Sequence, residues 1–252
     1  DQNTRNTIEL IYNKSCIGLL AMSQCTYDIQ MEILHYFPEF AENIKKKTIV
    51  LHPPQKLLIN KIEEKEISYN DDESIRFIFI GRDFFRKGAG QILTVLERFK
   101  EQYKFEVLLI SEINPKANFA HFTKLDSENM LKYISENRDW IKYYPSLSND
   151  HVLELIKQSH VALLPTWMDT YGYSVLECQA GGCPVITTNV RALTEINNDE
   201  LGWVIPVPLN RLKHPLHNSL EDFNKFKSIL ENGLELALKD IFNNKHKVKE
   251  KT

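Results

Sequence analysis

The run Leu163–Ile186, LLPTWMDTYGYSVLECQAGGCPVI, decides how the rest of the chain is read. It opens as a short apolar strand that ends near Pro165, the pattern of a buried strand. A polar loop holding Asp169 follows, and Gly172 stands at the start of a helix that Gly181-Gly182 ends. A helix N-terminus presents unpaired N–H groups and a partial positive charge. A diphosphate can be held there without any side chain, and Gly172 lets the backbone approach it closely. Asp169 precedes the helix and Glu177 lies on it, eight positions apart, so both can face one cleft. Two carboxylates so placed suit sugar hydroxyls, because each accepts hydrogen bonds from a diol through two oxygens. Taken singly, Asp169 reads as a loop or N-cap residue and Glu177 as a solvated helix residue; the combination argues for a site.

Outward from this stretch, strands and helices alternate. Ile75–Gly81 (IRFIFIG) reads as a buried strand rich in β-branched and aromatic residues. Gly88–Lys100 has helical spacing, with Ile92, Leu93, Val95, Leu96 and Phe99 on one face. Phe105–Ser111 is a second strand, Ser127–Asn137 a helix, and Ile141–Leu147 an extended segment broken by Pro145. Asp150–Ser159 is helical, with Asn149 or Asp150 as its N-cap, and His160–Thr166 is the strand that enters the opening motif. Pro184–Asn189 and Gly202–Val207 are further strands, and a helix over Ser219–Phe242 closes the pattern. Unbroken apolar strands alternating with helices predict an α/β fold, a Rossmann-like parallel sheet with helices on both faces. Ligands of such sheets bind beyond the carboxyl ends of the strands, near the reversal of strand order. That points to the loops after Gly81, Ser111, Leu147 and Thr166.

The first of those loops holds a second signal, Gly81-Arg82-Asp83-Phe84-Phe85-Arg86-Lys87-Gly88. Arg82 and Lys87, five apart on the way into a helix, can neutralise a diphosphate. Arg86 is read as an additional, solvated cation. The loop is neither a Walker A sequence nor a G-x-G-x-x-G fingerprint.

Together these stretches resemble glycosyltransferase family 4, whose E-x7-E signature is usually P-S-x-x-E-G-F-G-x-x-x-x-E-A-x-A-x-G-x-P-V-I. This chain has Pro165, Asp169 in the first acidic place, Tyr171-Gly172-Tyr173, Glu177, Ala180, Gly182, Pro184, Val185 and Ile186. The Gly81–Gly88 loop resembles the G-R-x-x-x-x-K-G motif of the same family. The resemblance implies the C-terminal, donor-binding half of a GT-B fold. It implies that Glu177 binds the ribose hydroxyls, that Asp169 contacts the donor sugar, and that the amides near Thr170, Tyr171, Gly172 and Tyr173 hold the diphosphate with Arg82 and Lys87. It further implies transfer with retention at the anomeric carbon, from a nucleoside-diphosphate sugar to a glycan, lipid-linked or protein acceptor, with Asp169, Arg82 and Lys87 as catalytic residues. Asp169 departs from the usual Glu by one methylene, which bears on the donor sugar. Ser111-Glu112-Ile113-Asn114-Pro115 departs from the Gly-rich turn common there, which bears on the base pocket. A nucleotide-sugar epimerase of the same fold and a non-catalytic binding or scaffolding module are the competing readings.

Residues 1–70 read differently. Ile17–Met22 and Lys47–His52 are strands, and Ser23 can cap a helix over Gln24–Tyr36. The polar run Asn60–Ser74 is the most linker-like stretch. Two domains are therefore expected: residues 1–70 as the end of an amino-terminal acceptor domain with its crossover, and residues 71–252 as the nucleotide-sugar domain with a terminal helix. The acidic stretch Glu63–Glu73 and the basic tail Lys245–Lys251 are read as solvated surface.

The 252 residues carry a formal net charge of −3 with 26% charged and 42% hydrophobic residues, a balance that argues against nucleic acid as a partner. Cys16, Cys25, Cys178 and Cys183 form no C-x-x-C pair and read as free thiols of a reducing compartment. His214 and His217, flanking Pro215, read as solvated loop residues. No D-x-D motif occurs, so no metal and no cofactor are expected beyond the sugar nucleotide. No apolar run reaches the ~18 residues that span a bilayer, and the first residues lack a signal-peptide core. The expectation is a cytoplasmic protein whose contact with a membrane, if any, is peripheral and made by the amino-terminal half.

Overall fold

A computed structural model describes residues 2–65, 67–69, 74–114, 121–216 and 218–252. The chain divides into two units, one ending at Pro54 and one beginning at Gln55.

The smaller unit contains α1 (Gln2–Tyr12), β1 (Leu19–Ala21), α2 (Gln24–Leu34), α3 (Pro38–Lys47) and β2 (Thr48–Val50). The two strands pair in parallel, with Leu19 opposite Thr48. Ser23 caps α2 as its position suggests, its Oγ accepting the Thr26 amide at 3.0 Å. Helices α1 and α3 are not evident from the sequence pattern. Pro38 at the start of α3 and Lys45, Lys46 and Lys47 in its last turn are the start and charge signals that mark it. Ile8, Leu34 and Ile44 form this unit's core.

The larger unit is built on β3 (Ile75–Ile80), β4 (Phe105–Ile110), β5 (Ile141–Tyr144), β6 (Val161–Leu164), β7 (Val185–Thr188) and β8 (Gly202–Ile205). All pair in parallel, in the order β5-β4-β3-β6-β7-β8. The chain starts at the middle, builds outward to β5, then returns to the other side of β3 to lay down β6 to β8. The reversal falls between β3 and β6, and the crevice at their carboxyl ends is where such sheets bind ligands. Every residue of β6 and β7 is buried, which requires cover on both faces and explains their unbroken apolar runs. The cover comes from α4 (Ala89–Glu97), α5 (Lys124–Glu136), α6 (Asn149–Lys157), α7 (Tyr173–Ala180), α8 (Leu193–Ile196), α9 (Leu220–Asn243) and α10 (Lys245–Lys251). Helix α4 packs on α9, and α6 on α7. Phe242 of α9 meets Phe77, Phe99, Phe105 and Tyr103 in one aromatic cluster.

Three expectations are corrected here. Helix α6 is flanked by Ser148 rather than capped by Asn149 or Asp150, and the Ser148 hydroxyl meets the His151 ring at 2.8 Å. The terminal helix stands at Leu220–Asn243, close to its expected bounds, but the basic tail after it is not all solvated surface. Asn244 breaks the helix at φ −136°, ψ 59°, and α10 returns Val248 to the interior at 2% exposure while Lys247 bonds Asp240 at 2.6 Å. The stretch read as a linker is strapped to the larger unit. The Leu58 and Ile59 amides reach Ala180 O at 2.9 and 3.2 Å. The buried Lys65 ammonium donates to the carbonyls of Ser159, Gly181 and Gly182 at 2.7, 3.2 and 2.5 Å. These carbonyls end α6 and α7, where a cation is favoured. That strap puts the contact boundary near residue 55 instead of 70. Residues 66 and 70–73 of the acidic stretch, and His217, lie outside the described residues.

What positions the rim of the sheet is a close approach of two loops. Gly88 has φ 83°, and a Cβ added there would sit 2.2 Å from the carbonyl oxygen of Pro165. The Trp167 amide and the Thr166 hydroxyl both donate to Arg86 O, at 2.9 and 3.1 Å. The Thr188 hydroxyl donates to Thr166 O at 2.8 Å, tying in the end of β7. Beneath them the buried Trp167 ring stacks on Phe223 and donates to Gln91 Oε1 at 3.1 Å. Gly88→Ala combines left-handed backbone strain with a backbone clash, so it is expected to lower the unfolding free energy by about 3 kcal/mol. Urea denaturation followed by circular dichroism reads this; a loss below about 1 kcal/mol, the size of an ordinary Gly-to-Ala effect, contradicts it.

Candidate functional site

A cleft of about 520 Å³ opens at the carboxyl ends of β3 and β4. Its walls include Gly81 and Arg82 after β3, Ser111 and Glu112 after β4, Pro145, Ser146 and Leu147 after β5, Asn149 and Val152 of α6, and Glu177 of α7. Three of the four loops pointed to by the sheet pattern thus meet there. Arg82 and Glu177, ninety-five positions apart, share one space. Arg82 is exposed. Glu177 is half-buried, and loss of solvation raises its pKa above the ordinary carboxylate value. Its carboxylate has no hydrogen-bond or ion-pair partner among the described residues. A half-buried acid without donors is a cost to the fold, and the cost is relieved by a ligand that brings hydroxyl donors.

Lys87 and Asp169 are not among the residues that line this cleft. They pair with each other in an ion pair from which solvent is mostly excluded, with 14% and 12% of the two side chains exposed. The other oxygen of Asp169 accepts the amides of Thr170 and Tyr171 at 2.7 and 3.3 Å. Both Asp169 oxygens are thus engaged within the protein, and the Tyr171 amide is taken up by Asp169. The two groups are nonetheless joined by short rigid connections. Arg82 and Lys87 belong to one loop held by the Asp83 O to Lys87 N bond at 2.9 Å. Tyr173 and Glu177 are about 6 Å apart along the axis of α7. Gly172 flanks this helix at φ 99° without any side-chain cap. A Cβ there would meet Leu193 Cδ2 at 2.5 Å, so only glycine lets α7 start against α8. Of the side chains near this tip, Tyr173 is 51% exposed and Tyr171 is 2% exposed. Burial, Glu195 and Tyr173 together raise the Tyr171 phenol pKa.

Arg86, read as a solvated cation, is instead a structural clamp. Its Nε donates to Asp83 Oδ2 at 2.9 Å and its Nη1 to Met168 O at 3.1 Å, binding the two loops at the point where Lys87 meets Asp169. The rim also holds a residue that no sequence pattern marks. Arg191, in the loop after β7, has φ 52° and a buried Nε without a hydrogen-bond partner. Its amide donates to Lys213 O at 3.2 Å, linking the loops after β7 and β8. A lone arginine in a polar loop carries no spacing that would single it out.

An exposed cation, a half-buried cation–acid pair, an uncapped helix tip and an acid without a partner among the described residues stand on the carboxyl-end rim of a Rossmann-like domain. The profile of the glycosyl transferases group 1 family matches residues 60–233, and the chain belongs to that family. A glycosyltransferase of Methanocaldococcus jannaschii is 23% identical over 180 residues, 71% of this chain and 43% of that protein. An MMP α-(1→4)-mannosyltransferase of Mycolicibacterium hassiacum is 19% identical over 155 residues, 60% of this chain and 36% of that protein. Among solved structures, Anabaena HepE in complex with UDP superimposes with a TM-score of 0.57 at 16% identity, over 94% of this chain and 63% of that one. The fold is thus one α/β half of the GT-B type, and the chain spans about two fifths of the length of the curated relatives it matches.

The Glu177 pKa has a consequence for stability. The group is protonated in both states well below 4.5, its ordinary value. As pH rises the unfolded chain ionises first, so the folded state loses stability until pH passes the raised folded value. Glu177→Gln removes this cost. The variant is expected to match the wild type at pH 4 and to be more stable at pH 7.5 in urea titrations. A variant less stable than the wild type at pH 7.5 contradicts the assignment of an unpaired, desolvated carboxylate.

Proposed function

We propose that this chain is the donor-binding part of a retaining glycosyltransferase that moves a sugar from a nucleoside diphosphate to an acceptor. The observation that carries the reading is the cleft at the carboxyl ends of β3 and β4, in which exposed Arg82 and Glu177, without a partner among the described residues, face one space. In this reading Glu177 accepts the two ribose hydroxyls, which supply the donors its carboxylate lacks. The diphosphate runs from there toward Arg82 and the tip of α7, where helix polarity favours anions.

The Lys87–Asp169 pair holds both groups in place before the donor arrives. When the diphosphate enters, Lys87 turns part of its charge to the phosphate oxygens, and Asp169 is released to hydrogen-bond the sugar. As the glycosidic bond breaks, electrons pass to the diphosphate oxygen, and Arg82, Lys87 and the helix tip stabilise that growing charge more than they stabilise the bound donor. Interactions that strengthen in the transition state lower the barrier. These charges serve in place of a metal ion. The acceptor is a glycan, a lipid-linked sugar or a protein, presented by polypeptide beyond this unit.

Binding is tested by thermal shift with UDP, GDP and ADP. A ligand at 100 times its Kd adds about 2.7 kcal/mol to stability, a rise of about 5 °C for a domain of this size. Arg82→Ala and Glu177→Ala are each expected to abolish that rise while still unfolding cooperatively. Undiminished shifts in both variants contradict the site.

A further inference from the structure

The cleft has an end that the phosphates and ribose leave unused. If Glu177 takes the ribose and Arg82 the diphosphate, as proposed above, the base extends away from β3 toward the carboxyl ends of β4 and β5. That end is walled by Ile110, Leu147, Val152 and Pro145, with Glu112 as its charged residue. The apolar residues suit the faces of a planar base. Glu112 is exposed at the rim, and its carboxylate has no hydrogen-bond or ion-pair partner among the described residues. It occupies the sequence Ser111-Glu112-Ile113-Asn114, directly after β4.

An ionised carboxylate only accepts hydrogen bonds, through two oxygens side by side. Among the nucleobases, guanine matches it: N1–H and the N2 amino group are adjacent donors on one edge. Uracil has a single N–H between two carbonyls, each of which would face a carboxylate oxygen. Adenine places one amino donor beside the N1 acceptor. An acceptor pair matched to two adjacent donors disfavours a base that turns an acceptor toward it. We propose that Glu112 is a specificity residue that reads the guanine edge, making the donor a GDP-linked sugar. The inference rests on the site reading above, and it adds a residue and a nucleotide class to it.

The test is titration calorimetry of the chain with GDP, IDP, UDP and ADP. IDP keeps the N1–H of guanine but lacks the N2 amino group, so it isolates the second hydrogen bond. GDP is expected to bind most tightly, with IDP weaker by about tenfold and UDP and ADP weaker still, in line with a bidentate base contact. Glu112→Gln, with an unaltered melting temperature in the absence of ligand, is expected to weaken GDP by about 10-fold to 100-fold and to erase the difference between GDP and IDP. UDP or ADP binding as tightly as GDP overturns the proposal, as does a GDP–IDP difference that survives in Glu112→Gln. Failure of all four nucleotides to bind the wild-type chain overturns the underlying site reading instead.

Discussion

Gly88 lying against the carbonyl oxygen of Pro165 is the contact on which the geometry of the rim depends. The sheet alone delivers two loops to the same edge, one after β3 and one after β6, but loops delivered to an edge need not be in register. Here the left-handed backbone at Gly88 removes the side chain that would hold them apart. The bonds from Trp167, Thr166 and Arg86 then lock them together, and the buried Trp167 beneath fixes the second loop to α4 and α9. Lys87 meets Asp169 only because of this arrangement. The family's two motifs, eighty residues apart in sequence, thus act as one structural piece.

The charges around that piece are arranged unevenly. One cation, Lys87, is neutralised within the protein, whereas Arg82 is exposed to the cleft. One acid, Asp169, is fully engaged by Lys87 and two amides, whereas Glu177 is desolvated and unpaired. Lys65 caps the carbonyl end of α7, the helix that carries Glu177 at its fifth position.

Much of this was legible in the sequence, and the reasons are local. Strands β3, β4, β6 and β7 are short apolar runs bounded by loop residues, so period and length identify them. Gly172 was legible as the start of a helix, while the left-handed backbone at Gly88 and Gly172 is seen only in the structure. The alternation of elements leaves few topologies, and the order β5-β4-β3-β6-β7-β8 among them is given by the structure. Less visible were features that depend on partners far along the chain. Arg86 looks like any basic loop residue until Met168 O is beside it. Lys65 sits in a polar, acidic stretch whose composition suggests a linker, and only the carbonyl ends of two helices reveal why it is buried. That Asp169 pairs with Lys87 is a matter of side-chain direction, which sequence spacing does not specify. The break at Asn244 and the return of Val248 to the core likewise require the terminal helix to be seen against β8.

The central claim is that one ligand engages both loops at once. Amide hydrogen exchange with and without a saturating nucleoside diphosphate tests it most directly. The account predicts that added protection falls together on the loop from Arg82 to Gly88 and on the stretch from Thr170 to Glu177, with little change on α9. Protection confined to one of these loops, or located away from both, would contradict it.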